Sequence, residues 1–307
     1  MNPARAIGLK LVSVVLFVAM SSLIKASADH VPPGEAVFFR SFFAIPVIVV
    51  WLIWQGQLSM GLRTRNPMGH LWRGLVGGTA MGLMFAGLGL LPLPEVTAIG
   101  YAAPLLVVIF AAMFLGEEVR LFRLGAVALG MAGVLIVLSP RLSAFASDQM
   151  DAREALGAIV VLGGANGAAL AQVFVRKLVQ TENTAAIVFW FSVTASVLSL
   201  LTIPFGWVVP SWGEVVMLVL AGLLGGLAQI FMTSAYRFAQ AAVVAPFDYA
   251  SMLLALIVGY VVFDEVPTPV MLVGASLVIA AGVLIIWRER QLGIERGRSR
   301  KGMTPQG

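Results

Sequence analysis

Two charged side chains, Arg40 and Asp248, lie inside long apolar stretches, where a charge is costly and usually functional. Arg40 interrupts PPGEAVFFRSFFAIPVIVVW, and Asp248 lies in APFDYASM. A guanidinium can pair with an anion and stack on an aromatic ring. A desolvated carboxylate has a raised pKa and can take up a proton near neutral pH. The pair predicts a site that binds a small organic solute, with Asp248 as the candidate for proton coupling.

Each charge also has a simpler explanation. Arg40 could extend its long side chain to the nearer headgroups. Asp248 could make a structural hydrogen bond to backbone groups that Pro246 frees. A third charge, Lys25, lies near the end of its apolar stretch, where extension to the headgroups is the simplest interpretation.

The remaining predicted site residues form an amphipathic lining. Aromatic side chains would hold a flat apolar body, and charged or amide groups would bind its polar atoms. The predicted substrate-binding residues are Arg40, Asp248, Tyr249, Phe38, Phe39, Phe42, Tyr101, Trp190, Phe247, Asn166 and Gln229, with Gln172 as a further buried amide. Proline inside a helix removes a hydrogen bond and bends it, so Pro104 and Pro246 are predicted helix kinks.

The composition of the chain predicts the kind of secondary structure that positions these residues. The chain has 307 residues, of which 60% are hydrophobic and only 11% are charged, against about 25% charged in a soluble domain. Apolar runs such as PLLVVIFAAMFL do not alternate as barrel strands do. The sequence therefore predicts an all-α integral membrane protein with ten transmembrane helices, near 7–27, 34–54, 72–91, 95–115, 121–138, 156–175, 185–204, 214–236, 241–262 and 268–287.

Lysine and arginine placement predicts the orientation of these helices. With the N-terminus inside, sixteen of the 20 basic residues, Lys10 and Arg73 among them, fall on inner segments or the adjoining span ends. The positive-inside rule then places both termini in the cytoplasm of a bacterial inner membrane protein. The basic tail is explained as an anchor at anionic lipid, so nucleic acid is not an expected partner.

Several function classes lack their sequence signals. The chain has no Cys, no P-loop and no GxSxG, and its two histidines, His30 and His70, fall on opposite sides of the predicted membrane. We therefore expect neither an enzyme nor a metal or other cofactor. The segment around Ala26 to Ala28 imitates a signal-peptide cleavage site, but the repeat described next requires the first helix to be retained.

The two halves of the chain resemble each other. GAVALGMAGVLI at 125–136 aligns with GASLVIAAGVLI at 274–285, and VFFRS at 37–41 aligns with VFWFS at 188–192. The predicted units are a first five-helix repeat at 7–138, a polar periplasmic link at 139–155, a second repeat at 156–287 and a basic cytoplasmic tail at 288–307. Because five is odd, the second unit enters the membrane from the opposite side, a recurring design of alternating-access transporters.

Ten helices, the repeat, and LLVVIFAAMFLGEEV after the proline of the fourth span resemble the drug/metabolite transporter superfamily, EamA type. FFRSFFAIPV and LPLPEVTAIGYAAPLLVV are similar to a bacterial group that includes riboflavin importers. The resemblance implies a secondary transporter of a small organic metabolite, with riboflavin uptake the first expectation. An exporter of amino acids or other metabolites is the alternative within transport, and a non-transporting membrane enzyme or sensor is the alternative outside it.

Overall fold

The computed structural model describes residues 3–56, 58–115, 121–145, 152–178, 181–238 and 250–301. Within these ranges every regular element is helical. The elements are α1 (Pro3–Ser27), α2 (Pro33–Phe42), α3 (Ala44–Trp54), α4 (Leu58–Gly61), α5 (Pro67–Leu88), α6 (Leu93–Gly100), α7 (Ala102–Leu115), α8 (Leu121–Phe145), α9 (Ala152–Leu178), α10 (Thr184–Leu200), a 3-10 turn (Ile203–Phe205), α11 (Trp212–Phe238), α12 (Ala250–Phe263) and α13 (Pro269–Lys301).

Several helices have the length and apolar character of membrane spans. In the described residues, four helical stretches are long and apolar enough to cross a bilayer: Arg5–Ser27, Pro33–Trp54, Arg153–Val175 and Trp212–Met232. Shorter apolar helices accompany them, among them Gly125–Val137 and Ala185–Leu200. The expectation of an all-helical integral membrane fold is thereby met.

Two apolar stretches are each divided into two helices by a single residue. α2 ends at Phe42 and α3 begins at Ala44, four residues and two residues before Pro46. α6 ends at Gly100, four residues before Pro104, and α7 begins at Ala102. A proline lacks the N–H for the carbonyl four residues earlier and its ring crowds that carbonyl. Because Phe43 and Tyr101 keep right-handed helical angles, each interruption is a bend in a continuing path.

The strongest helix packing joins segments far apart in the chain. α1 packs along α11, α5 along α9, and α8 along α13. Between α8 and α13 the backbones touch: a Cβ added at Gly133 would lie 2.7 Å from the Gly274 carbonyl oxygen, and one added at Gly274 would lie 2.6 Å from that of Gly133. Small residues at such interfaces are what lets helices approach closely in a membrane.

The buried core runs through the middle of this arrangement. It draws apolar side chains from α1, α2, α5, α6, α9, α10 and α11, including Ile24, Val37, Phe85, Ile99 and Val161. Large apolar side chains such as Trp54, Leu201 and Val261 are exposed on the outside. An apolar outer surface of this kind is suited to contact with lipid.

Candidate functional site

Arg40 is buried deep in the protein. Only 6% of it is exposed, and its Nε has no hydrogen-bond partner. Its guanidinium lies over the ring of Phe191 in α10, 5.7 Å from the ring centroid. No ion pair joins it to Glu95 or to any other carboxylate of the described residues. A side chain buried in this way does not extend to the headgroups.

Arg73 approaches the same ring from α5. Its guanidinium lies 4.0 Å from the Phe191 centroid, and its Nε and Nη1 are buried without a hydrogen-bond partner. The sequence analysis had counted Arg73 only among the basic residues that predict the orientation, and the structure adds that its guanidinium is turned toward Phe191 inside the protein. A local signal was present, because Gly77 stands one turn further along α5 and leaves space for the guanidinium.

The contact between Arg73 and Gly77 shows the direction of the arginine side chain. A Cβ added at Gly77 would lie 2.2 Å from Arg73 Nη1 and 3.1 Å from a ring carbon of Phe191. Helical side chains normally lean toward the N-terminus of their helix. Arg73 instead reaches toward the middle of α5, away from the nearer helix end.

The phenylalanines of α2 form a cluster of their own. Phe38 stacks on Phe42 with centroids 5.3 Å apart and lies 5.5 Å from the ring of Trp207. Phe39 stacks on Phe43 at 5.8 Å. Phe42 is 47% exposed. These rings pack chiefly on one another, and the ring that both arginines contact is Phe191, which the sequence analysis did not select.

Two other predicted aromatic residues already have polar partners. The hydroxyl groups of Tyr101 and Ser251 lie 2.5 Å apart, joining the bend between α6 and α7 to the beginning of α12. The indole N–H of Trp190 donates to the carbonyl oxygen of Leu62 at 3.1 Å. The first contact joins two helices, and the second joins α10 to the connection between α4 and α5.

The predicted amides are less buried than expected. Asn166 and Gln172 are exposed on α9, and Gln229 is partly buried on α11. Asn166 shares an exposed stripe with Leu156 and Ile159, at the spacing of one helix face. The expectation that Asn166 and Gln172 are buried was therefore wrong, while their predicted contacts with a substrate stay predictions.

Five predicted site residues remain. Pro246, Phe247, Asp248 and Tyr249 lie outside the described residues. For Pro104 the structure gives the position in α7 and the bend at Tyr101. The roles of these five residues stay predictions.

The sequence analysis explained Lys25 as a side chain that extends to the headgroups, and the structure contradicts this. Its Nζ forms an ion pair with Glu265 Oε1 at 2.8 Å and donates to the carbonyl oxygens of Leu88 and Leu91. The ring of Phe263 lies 5.4 Å away. Asp264, which directly follows α12 and precedes Glu265, is the one non-glycine residue with a positive φ in the described chain (54°).

Further charged groups are buried that sequence reasoning had not placed inside. Lys10 is 1% exposed within α1, and Glu35 is 2% exposed at the beginning of α2, where it accepts a hydrogen bond from the Val208 N–H. His70 lies 3.5 Å from Glu182 through Nε2 and Oε2. The sequence does not distinguish a charged residue near the end of a span that faces lipid headgroups from one that faces a neighbouring helix.

A groove of about 700 Å³ lies between α1, α3 and α11, apart from the two arginines. Its lining is mostly apolar and includes Val50 and Trp54, whose side chains are largely exposed. An open apolar groove on the outer surface of a membrane protein is suited to lipid chains. The charged candidate site is therefore the junction of Arg40, Arg73 and Phe191.

Comparison with known proteins gives a consistent family. The EamA-like transporter family model matches residues 4–139 and 155–287. The chain is 30% identical to a riboflavin transporter of Rhizobium johnstonii, over 84% of this chain and 82% of that protein. It is 30% identical to the pseudopaline exporter CntI of Pseudomonas aeruginosa over 88% and 89%, and 27% identical to an S-adenosylmethionine uptake transporter of Rickettsia bellii over 93% and 94%.

A solved crystal structure covers 95% of this chain and 99% of its own with a TM-score of 0.67. At 21% identity this likeness shows the fold alone. The family and the relatives named above are transporters of small molecules and not enzymes. With the family model matched across nearly the whole length of a multi-pass, apolar helical protein, the chain belongs to the EamA-like transporter family.

Proposed function

We propose that the protein is a secondary transporter that moves a small organic metabolite across the bacterial inner membrane by alternating access. The moving parts would be two inverted five-helix units at 7–138 and 156–287, giving ten spans, with 139–155 as a periplasmic link and 288–307 as a cytoplasmic tail. In such a protein each unit can adopt the conformation of the other, which opens the site to one side and then the other.

The pattern of helix packing supports the duplication. If the first unit is exchanged with the second, α1 takes the place of α9 and α11 takes the place of α5. The packing of α1 along α11 then corresponds to that of α9 along α5, and both are among the strongest in the fold. α8 and α13 exchange with each other and also pack together. The two separate matches of the family model agree with the same division.

We propose to test riboflavin first as the substrate, and uptake first as the direction of transport. Support comes from the 30% identity to a riboflavin transporter and from the aromatic residues of α2 and α10. The relatives include uptake proteins and an exporter, so export of an amino acid or another metabolite is the second candidate. The observation that carries transport of a polar solute is the burial of Arg40 inside an apolar helix.

A growth experiment tests the cargo. The chain is expressed in a bacterial strain that neither makes nor imports riboflavin, and growth is measured at low external riboflavin. Growth that depends on the chain and is lost in Arg40→Ala supports riboflavin uptake. Normal membrane expression without growth would exclude it and direct the search to other metabolites in proteoliposomes.

A further inference from the structure

We propose that the transported solute carries an anionic group, a carboxylate or phosphate, and that Arg40 and Arg73 bind this group at the ring of Phe191. The inference rests on the proposed transport function and specifies the chemistry of its substrate. It also adds Arg73 and Phe191 to the site.

The first step is that the two positive charges meet at one place. Their guanidinium carbons lie 5.7 Å and 4.0 Å from the centroid of the Phe191 ring. Arg40 comes from α2, Arg73 from α5 and Phe191 from α10, so three helices converge there. A guanidinium over an aromatic face is attracted to it but keeps its hydrogen-bond donors free in the plane of the group.

The second step is that neither arginine acts as a headgroup anchor. Arg73 reaches over Gly77, away from the nearer end of α5. Arg40 lies against α11, where a Cβ added at Gly225 would be 3.3 Å from the Arg40 Nε. Both side chains are thus directed into the protein, at the cost of taking a charge out of water.

The third step is that this cost is not offset within the described residues. No carboxylate among them pairs with either arginine, and three guanidinium nitrogens, Arg40 Nε and Arg73 Nε and Nη1, are buried without acceptors. Two like charges at one ring also repel each other. An anion bound by both would supply acceptors for these donors and offset the repulsion.

Two further hydroxyl groups are buried on the helices that carry Arg40 and Phe191. Ser41 and Ser192, which directly follow Arg40 and Phe191 in the chain, have buried hydroxyl groups without partners. Consecutive residues of a helix point in different directions, so these hydroxyl groups are not assigned to the anion that the arginines bind. The two guanidinium groups define the ligand class as an organic anion.

Binding of matched probes to the purified protein in nanodiscs tests this inference. Three pairs differ by one anionic group: riboflavin 5′-phosphate and riboflavin, adenosine 5′-monophosphate and adenosine, and indole-3-acetate and indole-3-acetamide. We expect at least one anion to bind about tenfold more tightly than its neutral partner. The inference is wrong if no anionic member binds more tightly than its partner, including the case in which none binds.

Variants then assign the preference to the two arginines. Arg40→Gln and Arg73→Gln should each reduce the preference for the anion toward unity, while binding of the neutral partner changes little. Arg63→Gln, at an exposed position between α4 and α5, is the matched control and should keep the preference. A preference that survives in both Arg40→Gln and Arg73→Gln would place the anion elsewhere. If a variant fails to fold, the comparison of probes on the wild-type protein still decides.

Asp248 is the rival counter-ion. If its carboxylate neutralised the arginines, anions would have no advantage in the wild-type protein and would gain one only in Asp248→Asn, and that result would overturn the inference. The binding assay requires no transport. An anion preference without uptake or exchange of the same probes in vesicles would therefore count against the transport function while leaving the site intact, and transport without a preference would do the reverse.

Discussion

The ammonium group of Lys25 lies 2.8 Å from Glu265 Oε1, and both side chains are mostly buried, at 13% and 14% exposure. Lys25 also donates to the carbonyl oxygens of Leu88 and Leu91, at the end of α5, while Glu265 Oε2 accepts the Leu93 N–H at 2.9 Å. One ion pair thus joins α1, the α5–α6 connection and the turn after α12. These three segments must separate if the protein opens at the end where the ion pair lies.

Removing either charge of this pair should destabilise the protein. Lys25→Met removes the cation from the Glu265 carboxylate and leaves it the hydrogen bond from the Leu93 N–H. We expect Lys25→Met and Glu265→Gln each to lower the free energy of unfolding, with a coupling of about 1 to 3 kcal/mol in the double-mutant cycle. Denaturant unfolding in detergent measures it. Lys177→Met, at an exposed position, is the control, and strictly additive effects would contradict the coupling.

Glu182 should make the protein sensitive to acid. Burial raises the pKa of Glu182, but hydrogen bonds, from the Arg65 and Asn66 N–H groups among others, lower it more, so that the pKa lies below its ordinary value of 4.5. A carboxylate with a depressed pKa in the folded state stabilises it above the unfolded pKa, and this stabilisation is lost as pH falls through the folded pKa.

Glu182→Gln should therefore lower the unfolding temperature at pH 7 by a few degrees. The difference from wild type should shrink as the pH is lowered below 4.5. Thermal unfolding at several pH values measures this, with the exposed Asp29→Asn as control. A difference that stays constant down to acid pH would show that the charge of the Glu182 carboxylate does not stabilise its contact with the Arg65 and Asn66 N–H groups.

Arg40→Ala should impair transport more than folding. We expect uptake to fall about tenfold or more, because the variant loses a contact that we assign to the substrate. Membrane expression and the thermal unfolding of the variant are measured alongside initial uptake rates. Arg63→Ala should transport normally. Normal uptake by Arg40→Ala at normal expression would show that Arg40 is structural.

Topology can be tested by cysteine labelling, since the chain contains no Cys. A cysteine at Ser147, in the predicted periplasmic link outside the described residues, should react with an impermeant thiol reagent added to whole cells. A cysteine at Thr64, between α4 and α5, should react only after the membrane is permeabilised. The opposite labelling would reverse the proposed orientation.

Asp248 remains a prediction from sequence for proton coupling. A desolvated carboxylate beside Pro246 could bind a proton in one half of the cycle and release it in the other. Asp248→Asn should still exchange substrate across proteoliposomes but lose any acceleration by an imposed pH gradient. Wild-type transport that ignores the gradient would remove the coupling role, and normal transport by the variant as well would make Asp248 structural.

Properties that depend on short stretches could be read from the sequence. Runs of apolar residues predicted the helical membrane fold, because backbone groups in lipid must satisfy each other within a segment. Pro104 predicted a bend in its span, and α6 ends four residues before it, although the role of that bend in transport is untested. The family resemblance rested on motifs of the same local kind, such as LGEEV, and the EamA family model confirms it.

Tertiary structure decided which charges belong to the site. Arg40 was selected because it interrupts an apolar run. Arg73 had counted only toward the orientation and Lys25 had been explained as a headgroup contact, and both prove to be turned inward. Phe191 looked like any other aromatic residue of its helix until packing brought it to both arginines. The physical reason is that lipid and a neighbouring helix are almost equally apolar. Hydropathy therefore marks which residues leave water, but only the packing of distant helices determines which of them meet.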